Sequence, residues 1–208
     1  MPIELWFAFV VASTILVTIP GPTVLLVVSY AMGAGRKSGW ATVPGVALGD
    51  LTAMTVSLAG AGAVLATSAT LFTILKLAGA AYLVWLGIRL WRADPAPEAL
   101  AARAKPKGFL AMFASSYVVT ALNPKGIVFF IAFVPQFVLT DRPLLPQFAV
   151  LVATFVTIAA VNVALWAILA GEMRARFRRP GVLRLINRVG GSLLIGAGAL
   201  TALARRTG

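Results

Sequence analysis

Long apolar stretches alternate with short polar breaks along this chain. Six stretches stand out, at roughly 4–32, 39–65, 67–91, 108–138, 144–170 and 182–204. Each reaches or exceeds the ~20 residues a helix needs to cross a bilayer. The pattern therefore predicts an all-α membrane protein with six transmembrane helices. The breaks read "GAGRKSG", a very short turn near Thr67–Ser68, "RADPAPEALAARAKPKG", "TDRPLLP" and "GEMRARFRRPG". The third is rich in Ala, Pro and charge and divides the chain near its middle. The predicted organisation is one transmembrane domain over 1–208, made of a three-helix unit (1–91), a cytoplasmic linker (92–107) and a second three-helix unit (108–208). The N-terminal stretch carries Glu4 where a cleavable signal would carry basic residues, and its apolar run continues to about Met32. It reads as a retained membrane helix.

Two apolar stretches are interrupted by proline. "TIPGP" (18–22) lies inside the first and "TALNP" (120–124) inside the fourth. Each Pro removes a backbone donor and clashes with the preceding turn, at about 3 kcal/mol in a helix interior. Both sites set a Thr four residues before a Pro, with Gly or Asn directly before that Pro, at an offset of 102 residues. A second correspondence links "KLAGAAYLVWLG" (76–87) to "NRVGGSLLIGAG" (187–198), pairing Gly79 with Gly190, Leu83 with Leu194 and Gly87 with Gly198 at an offset of 111. Two units of three helices each must be inverted relative to one another, because three is odd. Inverted repeats with a broken helix in each half are a transporter pattern. The breaks free backbone N–H and C=O groups near the midplane, which is tolerated only inside protein or along a wet cavity. A half-helix N-terminus can bind a carboxylate there. The simpler alternative is a proline kink repaired by neighbouring helices.

Composition agrees with a membrane protein: 60% hydrophobic and 12% charged residues, against about 25% charged in soluble domains. There is no Cys and no His, which excludes disulfides, thiol redox chemistry and the usual zinc or copper sites. No cofactor or metal is expected. The net charge of +12 would suit nucleic acid if it were clustered on one soluble face, but it is distributed by topology. Thirteen Lys and Arg fall in the loops and helix ends on one side: Arg36, Lys37, Arg89, Arg92, Arg103, Lys105, Lys107, Arg174, Arg176, Arg178, Arg179, Arg184 and Arg188. The other side holds Arg142, Arg205 and Arg206. The positive-inside rule sends the thirteen to the cytoplasm and both termini outward. Trp40, Trp91 and Trp166 then lie near the inner interface and Trp6 near the outer one, as an aromatic belt requires. "GAGRKSG" is not a phosphate-binding loop, because Arg36 stands where Walker A needs Gly and no strand precedes it.

Three charges fall inside the spans. Asp50 and Lys76 are at similar predicted depth, and Lys125 follows the second break. Charges at that depth pair or carry function. Asp50 fits either a structural ion pair with Lys76 or a site for a proton and a substrate ammonium, and a pair can open during a cycle. Lys125 is expected to face a cavity. Asn162 lies near the repeat position of Asp50 and suits either that cavity or a helix contact. Gly45 with Gly49, and Gly35 with Gly39, read as close helix packing. The Gly-rich faces also admit a homodimer.

These stretches resemble a known family. "GPTVLLVVSYAMGAGRKSGWATVPGVALGD" (21–50), "KLAGAAYLVWLGIRLW" (76–91) and "NPKGIVFFIAFVPQFV" (123–138) are similar to motifs of the LysE/RhtB family of amino-acid exporters, in order and over most of the chain. The "GRKSGW" turn followed by "GVALGD" is nearer the branch that exports neutral amino acids of the threonine, homoserine and leucine types. The resemblance implies export of amino acids or close derivatives across the bacterial inner membrane by proton motive force, without enzymatic activity. It points to Gly21, Pro22, Gly45, Asp50, Asn123, Pro124 and Lys125. The expected substrate site comprises Thr18, Gly21, Pro22, Asp50, Thr120, Asn123, Pro124 and Lys125, with Asp50 also carrying the proton. The substrate's carboxylate would meet N–H groups at a break and its ammonium would meet Asp50. The expected partners are a small amino-acid substrate, protons and the lipid bilayer, not nucleic acid. A non-transporting scaffold and a passive amino-acid channel are the competing classes.

Overall fold

The computed structural model describes residues 1–93, 108–139, 141–172 and 180–203. Among them are eight α-helices and no strand: α1 Ile3–Thr18, α2 Pro22–Ala34, α3 Gly39–Thr67, α4 Ala69–Arg92, α5 Phe109–Ala121, α6 Pro124–Ala132, α7 Leu144–Glu172 and α8 Pro180–Leu203. Short 3-10 turns follow α2 (Arg36–Ser38) and α6 (Val134–Phe137). The linker from 94 onward and the basic run 173–179 lie outside the described residues, as do Arg205 and Arg206.

Local chemistry sets the boundaries. Pro20 and Pro22 cannot donate to Leu16 and Thr18, so α1 stops at Thr18, with Ile19 extended. Pro22 then opens α2 at its first turn, where a missing N–H costs nothing. Pro124 opens α6 in the same way, after Asn123. Each pair bends at its break, by 54° between α1 and α2 and by 42° between α5 and the segment from Pro124 to Phe137. The turn between α3 and α4 is closed by Ser68, whose hydroxyl accepts from Leu71 N–H at 3.1 Å. Gly35, at φ 72°, lets the chain reverse after α2.

Among the described residues three segments are long and apolar enough to cross a membrane by themselves, Arg36–Val64, Thr73–Arg92 and Leu144–Ala170, and counting each bent pair as one span gives five. The sixth expected span corresponds to α8. At 24 residues it is about 36 Å long, enough to cross a bilayer core, and it carries Arg184, Asn187 and Arg188 in its first half.

Glycines bring helix pairs into backbone contact. A Cβ on Gly45 would lie 2.6 Å from Phe113 O, and one on Gly49 would lie 2.8 Å from Tyr117 O. Thus α3 and α5 run side by side in the same direction. On α4 and α8, Gly87 meets the Gly191 backbone and Gly198 meets the Ala80 backbone, each at 2.6 Å, so these two run antiparallel. The α1–α7 pair repeats the α3–α5 relation. Trp6 donates to Thr154 at 3.0 Å and Asn162 donates to the Val17 carbonyl at 2.9 Å. The glycines of these pairs are therefore occupied within the chain, whereas Gly60 and Gly196 have nothing within 4 Å, and neither has Gly35, which serves the turn after α2 and not the close packing expected of it with Gly39.

Candidate functional site

The two proline breaks meet. Along α3, Val46, Asp50 and Met54 follow one another at one-turn intervals on a buried face. Along α7, Phe155, Ala159 and Val163 do the same in the opposite direction. Met54 and Phe155 belong to an apolar cluster with Phe9, Phe129, Phe130, Phe133 and Phe137. Val46 and Val163 pack with Val27 and Ala167. Between the aromatic and the valine layers, at the level of Asp50 and Asn162, lies a narrow cavity of about 40 Å³. Its wall includes Leu16, Val17, Gly21 and Thr23 from the first break, and Asn123, Lys125 and Gly126 from the second.

The broken end of α1 is completed by the second half of the chain. The Lys125 ammonium donates to Leu16 O at 3.0 Å and to Ile19 O at 2.9 Å. Leu16 O is the carbonyl that Pro20 leaves without a partner. Asn162 serves Val17 O next to it. No basic residue lies in the last turn of α1 itself, so Lys125 also supplies the positive charge that a helix C-terminus favours. Gly21 leaves room for it: a Cβ there would meet Lys125 Nζ at 3.4 Å. Its φ of −120° is ordinary for any residue.

A polar cluster crosses between the two breaks. Asn123 Nδ2 donates to Thr23 Oγ1 at 3.2 Å, and Thr23 and Thr120 share a hydroxyl–hydroxyl bond of 3.2 Å. Asn123 Oδ1 caps α6 by accepting from Lys125 N–H at 3.1 Å. By contrast, α2 starts at Pro22 after Gly21, with no side-chain cap and no acidic residue in its first turn. Uncapped N–H groups at a helix start favour an anion, and this turn contributes Thr23 and Val24 to the cavity wall. Asp50 is 9% exposed and lines the same cavity. Its carboxylate feels the attraction of Lys125, but it makes no hydrogen bond or close ion pair with the described residues. The cation sharing its cavity is Lys125, and Lys76 is not part of the wall.

Comparison with known proteins decides the family. The profile of the LysE type translocator family matches residues 14–205. The chain belongs to the LysE type translocator family. Over 205 residues this LysE-type translocator is 34% identical to the homoserine/homoserine lactone efflux protein of Salmonella typhimurium, covering 99% of both chains. It is 33% identical to an uncharacterized membrane protein of Vibrio cholerae, covering 99% of this chain and all of that one. A leucine efflux protein of Salmonella choleraesuis is 29% identical over 189 residues, 91% of this chain and 88% of that protein. No solved structure matches it.

In this translocator, Gly21, Asp50, Asn123 and Lys125 share the cavity wall, and Thr120 joins them through Thr23. Pro22 and Pro124 are exposed and outside it; their part is to end one helix and start the next. Thr18 faces away, with its hydroxyl bonded to Thr14 O at 2.7 Å. Thr23 is the polar wall residue that the aligned "TIPGP" and "TALNP" motifs pass over. The same offset of 102 would have found it, because it places Thr23 opposite Lys125. The described residues contain no group of three or more His, Cys, Asp or Glu that could hold a metal ion.

Proposed function

We propose that this chain exports neutral amino acids or close derivatives from the bacterial cytoplasm, by proton antiport with alternating access. In this reading six spans form a 3+3 inverted repeat in the inner membrane, with both termini outside. The supporting observation is the convergence of the two proline breaks on one cavity that also holds the unpartnered carboxylate of Asp50. The parallel α3–α5 and α1–α7 pairs and the antiparallel α4–α8 pair fit the inverted arrangement. The broken first helix offers its substrate two opposite ends: the carbonyl end of α1 for an ammonium and the uncapped N–H end of α2 for a carboxylate. Asp50 serves the ammonium and the proton in turn.

The relatives' names support small amino compounds as cargo. Homoserine and its lactone share an α-amino group, whereas the lactone has no carboxylate. A site serving both relies on the ammonium more than on the carboxylate. At about 40 Å³ the cavity has room for about three water molecules, far below the roughly 300–1,000 Å³ of small-molecule sites. Aromatic packing on one side and valine packing on the other support a closed carrier state over an open channel. The test is uptake of radiolabelled homoserine, homoserine lactone, threonine and leucine into inverted vesicles under an imposed pH gradient. Uptake that collapses with the gradient is expected. Gradient-independent flux would identify a channel, and no flux of any amino acid in the panel would identify a scaffold.

A further inference from the structure

We propose that the Lys125 ammonium occupies the substrate's own ammonium subsite in the closed state, as a tethered plug that an incoming primary ammonium displaces. This rests on the reading of the cavity as the substrate site, and it adds a recognition rule: cargo must present a free, unsubstituted ammonium.

Lys125 Nζ sits at the broken end of α1. Two backbone carbonyls, Leu16 O and Ile19 O, accept from it at 3.0 and 2.9 Å. Asp50 faces the same space and attracts it. Two carbonyls at the negative end of a helix, with a carboxylate lining the same cavity beyond ion-pair distance, make an ammonium site. Lys125 is buried, at 8% exposure, and comes from the opposite half of the chain. Its tether is an unbranched alkyl stem lying against Gly21, where no side chain intervenes. A group that satisfies broken-helix carbonyls only from across the break is positioned to release them when the halves move. The carbonyls then need another N–H donor, because unpaired backbone groups in a bilayer interior cost several kcal/mol. A substrate ammonium supplies three N–H donors, as Lys125 does. An N-acylated amino compound supplies one N–H and no charge, and a quaternary ammonium supplies none.

The experiment removes the plug and offers a free one. Purified Lys125→Ala protein in detergent is heated with methylammonium, ethylammonium or, as control, tetramethylammonium chloride at equal ionic strength. The primary ions are expected to raise the melting temperature of the variant by about 3–5 °C at ten times their dissociation constant. Tetramethylammonium should not, and wild type, already plugged, should respond little to any of them. Equal responses to primary and quaternary ions, or equal responses of variant and wild type, overturn the proposal. Lys125→Met, which keeps the stem, replaces the alanine variant if that fails to fold. A second measurement uses wild type alone. Ethylammonium should increase acetylation of Lys125 by an amine-reactive ester at least severalfold in peptide mass maps, and tetramethylammonium should not. Indistinguishable labelling also overturns it. Neither readout needs transport, so rescue without export removes the exporter reading, whereas export without rescue removes the plug.

Discussion

Lys125 performs the task that Pro20 leaves undone. With no N–H four residues on, Leu16 O would face the membrane interior unpaired, and the ammonium closes that gap. Hydrogen bonds to charged groups contribute about 1.5–3 kcal/mol net. Lys125→Met is therefore expected to lower unfolding free energy by about that amount, measured by denaturant titration in detergent. Thr23→Val should cost about 1–3 kcal/mol, because it strands the Asn123 amide that now donates to Thr23; the same titration checks it. Asp50→Asn keeps size but cannot carry a proton. It should fold and insert, yet reduce gradient-driven uptake to that of empty vesicles; uptake at the wild-type rate would remove Asp50 as proton carrier. Asp50, Asn123 and Lys125 were legible as candidates because polar groups in apolar stretches announce themselves. Thr23 was not, because a hydroxyl beside a proline reads as ordinary helix-start chemistry. Thr18 misled for the opposite reason: it fits the motif, but its hydroxyl bonds back onto its own helix.

Among the helices, packing is set by where a backbone must come close. Gly49 admits Thr120 Cβ and Tyr117 O to within 2.8 Å of where a side chain would begin. Gly49→Leu should therefore separate α3 from α5 and destabilise by at least the 1–3 kcal/mol typical of overpacking. Gly60→Ala, in open space, should stay within about 0.5 kcal/mol. Comparing the two variants by thermal unfolding in detergent tests whether packing, rather than glycine flexibility, sets the cost. The apolar runs and proline positions located the long helices and both interruptions, because length and missing donors are written in the sequence. What the glycines pack against was not, since a small-residue stripe is equally suited to a partner within the chain or outside it. α8 carries Arg184, Asn187 and Arg188 in its first half, and its place is fixed by its fit against α4.

For the molecule as a whole, charge asymmetry predicts orientation. Tags at both ends should be reached by impermeant labels from outside intact cells. A cytoplasmic N-terminus with an external C-terminus would mean an odd number of spans and would end the inverted six-span arrangement. The sequence pattern proposes this frame because topology depends on counts of residues in loops. It could not anticipate which carbonyl each polar side chain serves, which depends on how two halves distant in sequence come together.

The completion of α1 by Lys125 and Asn162 has a consequence for how the protein is made. When residues 1–93 leave the ribosome, the donors for Leu16 O, Val17 O and Ile19 O have not yet been synthesised. Lys125 follows Leu16 by 109 residues and Asn162 follows Val17 by 145, and synthesis proceeds at about 5–20 residues per second. During those seconds the nascent half carries bare carbonyls in the bilayer and depends on the insertion machinery or stray water for shelter. Neither half is then a self-sufficient membrane unit. Residues 1–93 expressed alone should be degraded by membrane quality control, and co-expression of 108–208 should restore their abundance.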